Sequence, residues 1–328
     1  MARAFVTGGT GVIGTALVTA LLARGDDVVG LARSEPSARA LRDRGVEPVR
    51  GETWEVEAMT AGMRGCDIAF HLAGMNSLCV PDPAPMRRAN VDGAVAAVRA
   101  AAAAGVSRLV HTSSASTIGE PAGTIATEWT EPRGWYLSTY EQTKTEGEKA
   151  ALRTARESGQ DIVCVNPSSV QGPGRAGGTG RFLLLFLDGR LKVFVDTNIS
   201  LVDIDDCVAG HLLAAERGAA GERYLLSGIR LTITEALSLA AEVAGVDATP
   251  RLAPRALATI GGACVEAAFK VRGKQPPVCR EMVRTLLHGH RYDGSRAERE
   301  LGQRYTPVTE TLRKTIDWAR AEGLLRNT

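Results

Sequence analysis

The segment Thr7-Gly8-Gly9-Thr10-Gly11-Val12-Ile13-Gly14 limits what this chain can fold into more than any other, because of what flanks it. Ala2 to Val6 is a short apolar run of strand type, and after the loop Ile13, Leu17, Ala20 and Leu21 recur at helical spacing until Arg24-Gly25 ends the pattern. Asp27 to Ala32 then supplies a second strand. Strand, tight glycine turn, helix and strand make a βαβ unit. A backbone turning that sharply needs dihedrals open to glycine, and the free N–H groups of a helix start can receive a phosphate only where no Cβ intervenes. Two spacings coexist here, Gly9-Gly11-Gly14 and Gly8-Gly11-Gly14. In a chain with 36 glycines it is the flanking strand and helix that make them informative. The loop is expected to hold the diphosphate of a dinucleotide.

At 328 residues the chain has room for about two domains and a sizeable core. A net charge of +2 with no basic block leaves no footprint for nucleic acid. The six cysteines, Cys66, Cys79, Cys164, Cys207, Cys264 and Cys279, have no C-x-x-C pair and no regular spacing. That argues against a zinc site or a disulfide framework and for a reducing cytoplasm. The start reads as a strand within a few residues, so no signal peptide is expected. Leu257 to Val271 is apolar but broken by Gly261-Gly262 and charged at Glu266 and Lys270. It is too short for about 30 Å of hydrocarbon and is expected as an ordinary packed helix, with no membrane as partner.

After the second strand, Ala32-Arg33 stands where a dinucleotide fold meets the adenosine ribose. An acid there binds a free 2′-hydroxyl and an arginine accommodates a 2′-phosphate, so NADP is expected, with NAD as the alternative if Glu35 takes the ribose. Alternation continues through strands at Pro48 to Arg50, Asp67 to Leu72, Arg108 to Thr112 and Asp161 to Asn166, with helices between them. Their continuous apolar runs indicate strands covered on both faces. His71 and His111 lie inside such strands and read as satisfied core histidines. The alanine-rich run Ala94 to Ala104 has a helical face and a Gly105 stop. Pro167 to Gly174 breaks the alternation, which ends the first domain. Beyond it, Phe182 to Leu187 and the segment from Thr234 read as helices, and Ser200 to Ile204 and Arg223 to Leu226 as strands. Asp205 or Asp206 is expected to cap a helix; with Asp203 they could suggest a metal, but a strand end plus a cap accounts for them.

Three residues can do chemistry together. Ser114 follows a strand's carboxyl end, and Tyr140 and Lys144 are four apart, on one helix face. A free tyrosine ionises near pH ~10. An ammonium about 4 Å away at an effective dielectric near 20 supplies ~4 kcal/mol, enough to bring it near neutrality. Ser114 would hold a substrate oxygen while Tyr140 exchanges its proton.

The glycine loop, His71-Leu72-Ala73-Gly74, Thr112-Ser113-Ser114, Tyr140 to Lys144, Asn166-Pro167 and Leu201 to Asp206 together resemble the extended short-chain dehydrogenase/reductases, the NAD-dependent epimerase/dehydratase family, over nearly the whole chain. Val193 to Thr197 and the C-terminal third are most similar to the branch of dihydroflavonol-4-reductase-like carbonyl reductases and hopanoid-associated sugar epimerases. The resemblance implies an α/β fold: a doubly wound parallel Rossmann sheet over residues 1–168, with segments near 199–229 returning to it, and a smaller, discontinuous substrate domain mainly over 169–328. It implies catalysis by Ser114, Tyr140 and Lys144. The dinucleotide would be held by Gly8, Thr10, Gly11, Val12, Ile13, Gly14, Arg33, Glu52, Thr53, Leu72, Ala73, Gly74, Thr112, Tyr140, Lys144, Pro167 and Val170. Glu52-Thr53 stands where the family usually has Asp-Leu beside the adenine. Ala115 and Ser116 replace the Asp-Glu pair of the dehydratases, which argues against dehydration. Three readings stay open: an NADP-dependent carbonyl reductase or alcohol dehydrogenase, a sugar epimerase that retains its NAD(P), and a dinucleotide-binding regulator. A small-molecule substrate is implied, and a homodimer through the helices bearing Ala94, Ala97 and Ala101 and Tyr140, Ala150 and Ala151.

Overall fold

A computed structural model describes residues 1–325. Seven parallel strands form the central sheet: β1 (Arg3–Thr7), β2 (Asp27–Ala32), β3 (Glu47–Arg50), β4 (Ile68–His71), β5 (Arg108–Thr112), β6 (Ile162–Pro167) and β10 (Arg223–Leu226). Their order, β10-β6-β5-β4-β1-β2-β3, runs outward from β1 in both directions, so the doubly wound sheet has its switch point between β1 and β4. Helices α1 (Val12–Ala23), α2 (Glu35–Arg42) and α8 (Ile204–Arg217) bury Leu17, Leu21, Leu41 and Cys207 on one side. On the other, α3 (Val56–Met63), α5 (Gly93–Ala104) and α6 (Thr139–Ser158) bury Met59, Met63, Ala97 and Ala151. The short α4 (Ala84–Arg87) precedes α5.

The remainder forms a second layer. β7 (Ser169–Gln171), β9 (Asn198–Asp203) and β11 (Ile229–Thr232) make a small sheet in the order β11-β9-β7, and β8 (Val193–Val195) pairs with β12 (Arg251–Ala253). A separate core of Leu183, Phe186, Leu237, Ala240, Leu312 and Ile316 joins α7 (Thr179–Leu187), α9 (Ile233–Ala244) and α12 (Val308–Ala321). Two further helices, α10 (Arg255–Val271) and α11 (Arg280–His288), pack on each other.

Several expectations change. Cys79 and Cys279 form a disulfide across 200 residues, a bridge that the scattered spacing gave no reason to expect, while Cys66, Cys164, Cys207 and Cys264 are free, so there is one bridge and no framework among the described residues. The bridge exists because folding returns α11 to the loop after β4, a proximity no local spacing records. The helix foreseen over Leu257 to Val271 forms, but it is not packed all round: of its residues only Gly262 is buried, and Leu257, Ile260 and Val271 face solvent. Among the described residues no helix is long and apolar enough to cross a membrane. Ala94, Ala97, Ala101, Ala150 and Ala151 are buried within the single chain, where α5 packs on α6, so they are not a surface awaiting a second copy. Asp203, still extended at the end of β9, caps α8 by accepting from Asp205 N at 2.8 Å, in place of Asp205 or Asp206. Asp206 instead takes Thr306 N and Oγ1, and Lys314 pairs with Asp203 and Asp205. Each of the three acids therefore has at least one hydrogen-bond or ion-pair partner within the protein.

Candidate active site

The carboxyl ends of the central strands gather the residues singled out above. Between β1 and α1, Gly8 has φ +71°, and Gly14 packs against its carbonyl so closely that a Cβ on Gly14 would lie 2.0 Å from Gly8 O. Thr10 and Gly11 are exposed, and Val12 and Ile13 open α1. Gly11 makes no side-chain cap, and the first turn carries no acid. The helix therefore begins with unoccupied N–H groups and a positive dipole end, facing a cradle that side chains would fill. This fits a dinucleotide diphosphate.

Around that loop, Arg33 follows β2, Glu52 and Thr53 follow β3, and Leu72, Ala73 and Gly74 follow β4. Ala73 N donates to Thr7 Oγ1 at 3.1 Å, and a Cβ on Gly8 would meet Ala73 N at 2.8 Å, so the ends of β1 and β4 are in contact. Arg33 is exposed and has no side-chain partner among the described residues. Glu35 is engaged by Arg42 and, at 3.7 Å, by Arg50. Pro167 ends β6, and Val170, on β7, is buried in the main core.

Ser138 caps α6 through Glu141 N, which sets the first turn and with it Tyr140. Ser114 leaves β5 in extended conformation, and its hydroxyl bonds Ser116 Oγ at 2.9 Å and lies close enough to Tyr140 to influence its phenol. Lys144 is buried, and its Nζ donates to the Thr112 carbonyl at 2.8 Å; a Cβ on Gly74 would approach it to 3.9 Å. Ser114, Tyr140, Lys144, Thr112 and Gly74 are thus brought together.

The electrostatics differ from expectation. Burial pushes the Tyr140 phenol above its ordinary value, opposed by the Ser114 hydroxyl and by the Arg175 guanidinium. The Lys144 ammonium is hydrogen-bonded to the Thr112 carbonyl. Burial also lowers Lys144 itself to about 8, against the opposing charge of Glu148. With its value raised by burial, the tyrosine is a protonated phenol at neutral pH, a form suited to donating a proton. His71 is a satisfied core histidine, with Thr7 Oγ1 at 2.9 Å from Nδ1, and burial lowers it to about 3. His111, stacked on it, is buried but has no hydrogen-bond partner on either nitrogen, so only half of that expectation holds.

Four residues of the site escaped the sequence reading. Asn90 joins the loop after β4 to α6, with Oδ1 accepting from Met75 N and Nδ2 donating to Thr143 Oγ1. Glu148 accepts from Asn166 Nδ2 at 2.6 Å and from Thr117 Oγ1 at 3.1 Å. It continues the Tyr140–Lys144 face by one more i+4 step, a signal that was there to be read. Arg175 lies in the turn after β7, where Gly174 approaches Val12. Glu281 of α11 accepts from Thr139 N and Oγ1 at the head of α6. Nothing in the sequence marks the last two.

The family model described as "NAD dependent epimerase/dehydratase family" matches residues 4–227. The chain is 34% identical to Sterol demethylase protein B of Methylococcus capsulatus, covering 98% of this chain and 99% of that protein. It is 30% identical to 2-alkyl-3-oxoalkanoate reductase of Shewanella oneidensis, covering 92% and 82%. Among solved structures, a nucleoside-diphosphate-sugar epimerase from Pseudomonas aeruginosa superposes with a TM-score of 0.79 at 25% identity, over 99% of each chain. The sheet, the glycine cradle and these likenesses agree: the chain belongs to the NAD-dependent epimerase/dehydratase family of extended short-chain dehydrogenase/reductases and is an enzyme of that NAD(P)-dependent group.

Proposed function

We propose that this enzyme reduces a ketone to an alcohol with NADPH, using Tyr140 as proton donor. The observation that carries this reading is the meeting of Ser114 and Tyr140 at the end of β5, with Lys144 anchored on the carbonyl of Thr112. A bound nicotinamide supplies the hydride. Ser114 and Tyr140 together hydrogen-bond the carbonyl oxygen, and Tyr140 gives it a proton as charge develops there. An epimerase of the same family would return its dinucleotide unchanged, so stoichiometric NADPH oxidation by a ketone separates the two readings.

NADPH is favoured over NADH by the free, exposed Arg33 and by the engagement of Glu35 elsewhere. Arg33→Asp removes a charge-assisted bond to the 2′-phosphate worth ~1.5–3 kcal/mol. NADPH binding should weaken by roughly 10- to 100-fold on that scale, with NADH nearly unaffected. Tighter binding of NADH than NADPH by the unmodified enzyme rejects the assignment.

The substrate is proposed to carry an anionic group near the reacting carbonyl, as in a 3-oxo acid. Arg175 supports this: it forms no ion pair among the described residues, its Nε is buried without a hydrogen bond, and its charge reaches Tyr140. A half-buried guanidinium without a carboxylate is costly unless a ligand provides one. The likeness to a 2-alkyl-3-oxoalkanoate reductase points the same way. Arg175→Gln should raise KM for a 3-oxo acid by roughly 10- to 100-fold, the loss of a charged hydrogen bond, and spare its neutral methyl ester. If NADPH affinity drops equally, Arg175 serves the cofactor diphosphate and the acidic substrate is withdrawn.

A further inference from the structure

Away from the reacting residues, Glu120, His288 and His290 meet where the segment following Ser114 touches the end of α11. Their ligand atoms all lie within 4.8 Å of one another. Glu120 Oε1 is 2.7 Å from His290 Nδ1 and 3.6 Å from His288 Nε2. Tyr292 Oη, 2.9 Å from His290 Nδ1, borders the group on a further side. Glu120 is 1% exposed, and the His288 side chain 5%.

Hydrogen bonding within the group leaves atoms over. Glu120 Oε2 and His288 Nε2 are both buried without a hydrogen-bond partner, although each belongs to a residue pressed against a complementary one. Buried polar atoms left in this way call for an explanation, and an ion is one. Two imidazoles and one carboxylate are the donor set that zinc takes, with bond lengths near 2.0–2.2 Å. Tetrahedral angles at those lengths put ligand atoms about 3.3 Å apart, so the observed separations need only small side-chain adjustments.

We propose that Glu120, His288 and His290 bind one divalent transition-metal ion, zinc by preference, which fastens the end of α11. His288 would ligate through Nε2 and His290 through Nδ1, each carrying its ring proton on the other nitrogen. The fourth position goes to water or to Tyr292. The consequence runs to the active site through α11. At its start Cys279 is bonded to Cys79, Glu281 caps the helix that carries Tyr140, and Arg284 donates to the Leu137 carbonyl. A metal at its far end would hold both ends of the element that positions that helix. The role is structural, and it does not depend on the substrate proposed above.

The test uses the full chain, free of any affinity tag, stripped with a chelator and titrated with zinc against a chromophoric competitor, and separately with cobalt(II). One equivalent per chain should bind at micromolar or lower free zinc, and cobalt should give the intense visible bands of a four-coordinate site. Zinc should also raise the melting temperature. His288→Ala and His290→Ala should each weaken binding by at least a hundredfold, as loss of a direct ligand does. Glu120→Gln, which keeps the size of the side chain, should do the same without emptying the core. Absence of zinc binding and of cobalt bands in the unaltered protein overturns the site without reference to any variant. So does stoichiometric binding that survives in all three variants.

Discussion

Tyr140→Phe should lower turnover of a ketone substrate by roughly 10²- to 10⁴-fold, the range for loss of a positioned proton donor, while NADPH affinity changes little. The substitution removes one oxygen from a ring that stays in place on α6, so binding and chemistry separate. The direction of the tyrosine's shift bears on the outcome. Because burial raises Tyr140, the phenol stays protonated at neutral pH and reduction should proceed there without a basic limb. Oxidation of the alcohol needs the phenolate, so its rate should climb as pH rises towards that raised value. Stopped-flow measurement of NADPH oxidation by the ketone and of NADP+ reduction by the alcohol, each across pH, checks both statements. Near-normal turnover by Tyr140→Phe would mean that the proton comes from another group, and the proposed site would fail.

Gly14→Ala should nearly abolish dinucleotide binding, by more than about a hundredfold, and should also lower the melting temperature. An added Cβ would stand 2.0 Å from Gly8 O, 2.7 Å from Gly8 C and 2.9 Å from Gly9 Cα. All three are backbone atoms, so no side chain can rotate away. Either the loop opens or α1 shifts, and in both cases the N–H groups that would receive the diphosphate move. Gly11→Ala, whose Cβ would sit 3.2 Å from Gly8 O, should show a weaker form of the same effect. Fluorescence titration with NADPH and thermal melting of the three proteins give the comparison. Binding by Gly14→Ala within tenfold of the unaltered enzyme would remove the glycine cradle from the account.

The parts of this enzyme that could be read directly from the chain are those produced by short-range repetition. Apolar runs covered on both faces became the parallel strands, the glycine loop became the strand-to-helix turn, and Tyr140 and Lys144 share a helix face because a turn is 3.6 residues. Each depends on neighbours a few residues apart, so composition and spacing carry it.

Where a side-chain end goes once its face is chosen is another matter. The Lys144 ammonium is hydrogen-bonded to the Thr112 carbonyl, and Arg175, from a turn more than thirty residues further on, became a cation that Tyr140 senses. Asp203 took the cap expected of Asp205 or Asp206 because β9 runs one residue less far, with Ile204 opening the helix. The alanines of α5 and α6 pack against each other within the chain. Cys79 met Cys279, and Glu120 met His288 and His290, across 168 to 200 residues. Such meetings follow from how whole layers stack, which balances burial, desolvation and hydrogen bonding over the entire molecule, and no local pattern holds that balance.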